Sequence, residues 1–203
     1  MMMAEATNHY FKHLGVSDGL SQVCIPSIYQ DELGAVWLGT TEGLNRYNGK
    51  DVKVFQPSES NHGLTNNEIN ELCGDKNGRM YIRSGNDLIK LDIYTEQFTC
   101  LRQKGVYGLF CKKDTLWVSC ADGIYYYTGQ GTELTFFARV QKGFVGRALY
   151  VDKETVWVVT RKYLVAISRE DPLRQEILLT LDKGNCILGD SCLLYTSDAA
   201  DEL

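Results

Sequence analysis

No basic run occurs anywhere in the sequence. With Lys+Arg 21 against Asp+Glu 26 the net charge is −5, so the chain lacks the electrostatic footprint of a nucleic-acid binder. No stretch of eighteen apolar residues is present either, which leaves no segment that reads as a membrane-spanning helix. Histidine is scarce: His9, His13 and His62 are all there are. They form no HExxH and no cluster, so a metal site has no obvious ligands. Six cysteines, Cys24, Cys73, Cys100, Cys111, Cys120 and Cys186, precede a seventh in the tail, and none forms a CxxC pair. Most sit in apolar strand patterns, where a small buried hydrophobe is the expected role. A G-x-S-x-G elbow for a serine nucleophile is also missing. Cofactors are expected to be none.

What the chain has is glycine, aromatics and repetition. Proline is held to 3 while glycine reaches 19 and aromatics 11%, a composition suited to many short strands and tight turns. The stretch DELGAVWLGTTEGLNRYNG, residues 31–49, could pass for a phosphate loop. Yet Gly43 is followed by Leu44-Asn45-Arg46-Tyr47, an alternation that reads as another strand, and neither Gly-Lys-Ser/Thr nor GxGxxG spacing is met.

The same stretch returns downstream. AVWLGT (35–40), RMYIRS (79–84), TLWVSC (115–120) and TVWVVT (155–160) align on Trp37, Tyr81, Trp117 and Trp157, at steps of 44, 36 and 40 residues. That is the period of a four-stranded propeller blade. Each copy fills out to four strands. An apolar strand and a turn carrying Asp31, Asp75, Asp114 or Asp152 come before the aromatic; GLNRYN, DLIKLD, GIYYYT and YLVAIS follow it; VKVFQ, EQFTC, LTFFAR and QEILLT complete the set.

The fold class is therefore all-β: a propeller of antiparallel blades at about 21–56, 66–101, 105–139 and 145–181, with a further blade starting at 185–191. A four-stranded blade has two apolar faces, and stacking neighbours around an axis buries both. The four aromatics should fill equivalent slots between blades. Tyr125 and Tyr127 should face one neighbour and Tyr126 the other, by strand alternation. Four blades and part of a fifth make an open arc. HYFKHL (9–14) reads as a strand that closes a ring onto a last blade.

The ends carry their own signals. MMMAEA closes on Ala4-Glu5-Ala6, the small-x-small pattern that precedes signal-peptidase cleavage, with no charged n-region or apolar h-region before it, so residues 1–6 read either as a signal-peptide remnant or as a frayed polar terminus. CLLYTSDAADE at 192–202 resembles the read-through of a sequencing adapter, and residues 192–203 are set apart from fold reasoning.

The string D-x-x-G-x-V-W-L-G-T-x-x-G-L-N-R-Y of the first blade, with FKHLGVSDGLS before it, resembles the two-component regulator propeller repeat. It is most similar to the sensor region of hybrid two-component system proteins of glycan-degrading gut bacteria. The likeness runs from residue 9 to about 190 and weakens where Tyr81-Ile82-Arg83-Ser84 replaces W-I-G-T and where Val159 replaces Gly. The resemblance implies a periplasmic sensor for oligosaccharides. Its parent would be a homodimer with two seven-bladed propellers, a β-sandwich, a transmembrane helix, a histidine kinase, a receiver and an AraC-type DNA-binding domain that switches on utilisation genes. None of the signalling parts lies in these residues, so the fragment itself is not expected to be an enzyme, to bind nucleic acid or to touch a membrane.

A glycosidase or lyase needs a convergent acid/base pair near the axis. Asp31, Asp75, Asp114 and Asp152 instead recur once per blade, which points to a turn role. Recognition is expected on the face formed by the second-to-third and fourth-to-first strand connections. Residues there that break the repeat, Arg83, Asn86, Arg161 and Lys162, are the ligand candidates, able to bond sugar hydroxyls or pair with a sulfate or uronate, against the plainer reading of ordinary solvated loop residues. A propeller hydrolase or lyase, and a propeller serving only protein contacts, stand as alternatives.

Overall fold

The computed structural model describes residues 12–57, 63–140, 145–181, 187–189 and 194–196. His9, His62, Cys186, the residues 1–6 and most of the adapter-like tail lie outside the described residues. A short 3-10 turn, Val16–Asp18, comes first, and strands follow.

Among the described residues, sixteen strands form four antiparallel sheets, each in simple chain order. Blade one holds β1 (Ser27–Gln30), β2 (Val36–Thr40), β3 (Gly43–Tyr47) and β4 (Val52–Phe55). Blade two holds β5 (Ile69–Gly74), β6 (Arg79–Ser84), β7 (Asp87–Asp92) and β8 (Gln97–Arg102). In blade three these are β9 (Val106–Lys112), β10 (Thr115–Cys120), β11 (Gly123–Tyr127) and β12 (Thr135–Ala138). Blade four runs through β13 (Gly146–Val151), β14 (Thr155–Thr160), β15 (Tyr163–Ser168) and β16 (Gln175–Thr180). Beyond it, β17 (Ile187–Gly189) pairs with β18 (Leu194–Thr196), so part of the tail joins a two-stranded ribbon. The first strand of blade one is shorter than the run CIPSIYQD suggested. Pro26, with no N–H to donate, stands just outside the ladder.

The first strands of successive blades lie side by side, β1 against β5, β5 against β9, β9 against β13 and β13 against β17. This is the inner side of the arc. Between blades the apolar faces meet in separate layers. Trp37, Leu44 and Phe55 pack with Leu72, Met80, Ile82 and Ile89 across the first seam. Tyr81 and Leu88 meet Val106, Leu109, Leu116 and Tyr127 across the second. Trp117 and Ile124 meet Leu149, Val151, Val156 and Val158 across the third. The aromatics at the repeat position thus each face the following blade. Trp37 and Tyr81 are fully buried, whereas Trp157 is only partly covered, by a thin layer of Val159, Leu164, Leu181 and Ile187. Tyr125 and Tyr127 lie in the second seam and Tyr126 in the third, as alternation requires.

Two glycines show why the repeat needs them. Gly34 closes the β1–β2 turn at φ +85, a backbone region that L side chains avoid. At Gly39 a Cβ would come within 2.8 Å of Ile69 Cγ2 and 3.0 Å of its carbonyl oxygen. The first strand of blade two therefore sits directly on the second strand of blade one.

Candidate functional site

The recurring aspartates divide by local geometry. In blade one the Asp31 carboxylate is buried and accepts three N–H groups: Leu33 N at 3.0 Å, Ala35 N at 2.9 Å and Trp37 Nε1 at 2.8 Å. Blade four repeats this, with Glu154 N and Thr155 N each at 2.8 Å and Trp157 Nε1 at 2.7 Å from Asp152. Burial by itself would raise the Asp152 carboxyl, but the indole and the two amides outweigh it and hold the group below the usual carboxylate range. In blade two the aromatic is Tyr81, which has no N–H to offer. Asp75 still takes Asn77 N at 2.8 Å and Arg79 N at 3.2 Å, and the Arg79 guanidinium occupies the place of the indole. The Tyr81 hydroxyl is left buried without a partner, and burial pushes its phenol up.

Asp114 departs from the set. The β9–β10 hairpin has only Lys113 and Asp114 between Lys112 and Thr115, which pair directly. Asp114 stands three residues before Trp117, where Asp31 precedes Trp37 by six. Its exposed carboxylate accepts the Asn77 side-chain amide of blade two at 2.5 Å instead.

The ligand candidates belong to the face carrying the second-to-third strand turns. Backbone bonds tie those turns to the fourth-to-first connections: Gly85 N to Glu68 O at 2.7 Å, Val106 N to Asn86 O at 3.0 Å, Ala121 N to Gly105 O at 2.8 Å and Leu181 N to Lys162 O at 2.7 Å. Asn86 presents an exposed side chain there, as do Arg161 and Lys162 in blade four. Arg83 is differently placed. It lies within β6, opposite Glu71 of the inner strand; its Nε donates to Glu71 Oε2 at 3.3 Å and its Nη1 to Gly85 O at 3.3 Å. Burial pushes the Glu71 carboxyl up, and Arg83 only partly offsets this. Arg83 and Asn86 share blade two and Arg161 and Lys162 share blade four, with blade three between the pairs.

Other groups on this face had no mark in the sequence. In blade three, Asp122 accepts Arg102 Nη2 at 2.7 Å and the Tyr125 hydroxyl at 2.8 Å, while the guanidinium lies 4.7 Å from the Tyr125 ring centre. Nearer the inner edge, β5, β9 and β13 each carry a bulge where they oppose the last residues of the second strand. The extra residues are Asn70, Tyr107 and Arg147. A bulge re-aims side chains and often marks a working edge. Tyr107 and Arg147 are exposed, and the buried Asn70 Oδ1 has no hydrogen-bond partner. Ordinary alternation hides such positions, because the extra residue is recognisable only against its partner strand.

A stack of four-stranded antiparallel blades around a shared inner edge is the β-propeller fold, and three comparisons place it among known proteins. Residues 19–42, which run from before β1 into the β2–β3 turn, match the family model described as "Two component regulator propeller". The domain assigned to the extracellular part of a hybrid two component system from B. thetaiotaomicron superposes with a TM-score of 0.76 at 21% identity, over 89% of this chain and 28% of that one. A second such domain from the same bacterium gives 0.67 at 20% identity, over 85% of this chain and 25% of that one. Histidine kinase P4 of Formosa agariphila is 38% identical over 55 residues, which is 27% of this chain and 4% of the kinase. The chain thus spans a small part of the length of each relative.

Proposed function

We propose that this propeller arc is part of the extracytoplasmic sensor of a hybrid two-component histidine kinase. In this reading it lies in the periplasm, binds an oligosaccharide released from a polysaccharide, and through its parent, a homodimer, controls transcription of utilisation genes. The match of residues 19–42 to the two-component regulator propeller repeat carries the reading. The polar face supports the ligand class: Asn86, Arg161 and Lys162 stand exposed on it, beside Tyr107 and Arg147 of the inner-strand bulges. Amides, guanidinium groups and an aromatic ring are the groups that hold sugar hydroxyls, acidic substituents and pyranose faces. Arg83 contributes by positioning, since its guanidinium already serves Glu71.

Titration calorimetry of the chain against neutral, sulfated and uronate-containing oligosaccharides tests this. Binding without turnover is expected, weakened at least tenfold by Arg161→Ala with Lys162→Ala. Cleavage products in the same mixtures would instead support a propeller hydrolase or lyase. Absence of binding across the panel, from a chain with intact β-sheet circular dichroism, would overturn the ligand assignment.

A further inference from the structure

The seam between blades two and three differs from its neighbours at one facing pair. The inner-strand residue opposite the repeat aromatic is Tyr29 opposite Trp37, Cys73 opposite Tyr81, Phe110 opposite Trp117 and Tyr150 opposite Trp157. Three of the four are aromatic. One residue further along, the inner strands carry Gly74, Cys111 and Val151, opposite Met80, Leu116 and Val156. In the first seam the Tyr29 ring lies over Gly74, where a Cβ would meet its hydroxyl at 2.2 Å. In the third, Phe110 and Val151 share one apolar layer. In the second seam both positions change together, to Cys73 and Cys111, and their sulfurs lie 2.9 Å apart. The two are free thiols, in contact yet farther apart than the ~2.05 Å of a covalent S–S link. Both side chains pack against the Tyr81, Leu88, Leu109 and Leu116 layer, which holds them facing each other.

We propose that Cys73 and Cys111 are a disulfide site that staples the inner strands of blades two and three when the chain meets a disulfide oxidant. This replaces the expectation that both serve as small buried hydrophobes. The reaction balances as two thiol–disulfide exchanges. One thiolate attacks the oxidant's disulfide, forms a mixed disulfide and releases one thiolate. The second cysteine then attacks the protein sulfur of that link and releases the other, so the two cysteines are oxidised and one oxidant disulfide is reduced to two thiols. Burial pushes the Cys73 thiol well up, so the exchange is slow until the seam opens slightly. Of the other described cysteines, Cys24 is exposed, Cys100 lies on β8, and Cys120 shares the second-seam layer but sits at the far end of β10, opposite Val106 where Cys111 is opposite Leu116. The inference does not rest on the sensor reading, since the pairing is a property of the seam.

The test uses the full chain, reduced and then incubated with oxidised glutathione under native conditions. Remaining thiols are alkylated in denaturant before digestion and mass spectrometry. A dominant peptide linking Cys73 to Cys111, two hydrogens lighter than its parts and lost on dithiothreitol treatment, is the expected result. The melting temperature of the oxidised chain should fall by several degrees on reduction, and that of the Cys73→Ala, Cys111→Ala double variant should not respond. The proposal is overturned if Cys73 and Cys111 are recovered alkylated or separately glutathionylated. Pairing of Cys73 with other cysteines as often as with Cys111 would overturn it too, and both readouts come from the unaltered chain.

Discussion

Replacing Asp31 by asparagine removes one acceptor and one charge at the β1–β2 turn. Asp31 is 4% exposed, and its carboxylate accepts two backbone amides on Oδ1 and the Trp37 indole on Oδ2. Asparagine can keep its oxygen on the amides, but its NH2 then faces the indole N–H, donor against donor. A hydrogen bond to a charged group contributes about 1.5–3 kcal/mol, and stranding a buried donor costs about 1–3 kcal/mol. These overlap, so Asp31→Asn should cost roughly 2–3 kcal/mol, or roughly 5–10 °C in melting temperature for a chain of this size. The assay is urea unfolding followed by far-ultraviolet circular dichroism, run as a double-mutant cycle with Trp37→Phe. Phenylalanine has no N–H, so in that background Asp31→Asn should cost at least about 1 kcal/mol less, beyond the ~0.5 kcal/mol scatter of independent sites. Asp114→Asn, at an exposed hairpin with no indole to hold, should stay within about 0.5 kcal/mol of the parent. Additivity of Asp31→Asn with Trp37→Phe, or equal costs at positions 31 and 114, would refute the carboxylate–indole account.

Two further outcomes follow from the same seams. The Asp152 carboxyl ionises more readily folded than unfolded, so its stabilisation is complete above the unfolded value of ~3.9 and is lost as pH falls through the folded value; the gap in urea midpoint between the parent and Asp152→Asn should narrow between pH 6 and pH 3, and a constant gap would contradict this. Tyr81→Phe deletes a buried hydroxyl with no partner and should leave stability unchanged or raise it by up to about 1 kcal/mol, whereas a loss greater than that in urea unfolding would show that the hydroxyl is satisfied.

The blades were legible because their signals are local. Alternation marks each strand, turn residues separate them, and a large aromatic recurs once per period, at Trp37, Tyr81, Trp117 and Trp157. These patterns survive because every blade solves the same burial problem against its neighbours. The turn aspartates are legible as a set, but Asp114 is not an equivalent of Asp31. Its hairpin is shorter, and three residues of separation from Trp117 place its carboxylate at the blade edge, on Asn77.

The face was harder to read. Arg83 breaks the repeat, yet its partner Glu71 lies across a strand pair, twelve residues back. Asn70, Tyr107 and Arg147 carry no mark in the sequence, because a bulge is defined by the partner strand it slips against. Composition and period determined the all-β class, the four described blades and the seam aromatics, since each follows from side-chain alternation within some forty residues. The tertiary structure alone decided which inner-strand residues meet across a seam, Tyr29 over Gly74 and Cys73 beside Cys111. The members of each such pair sit in different blades, and only the stacking of one blade on the next brings their side chains together.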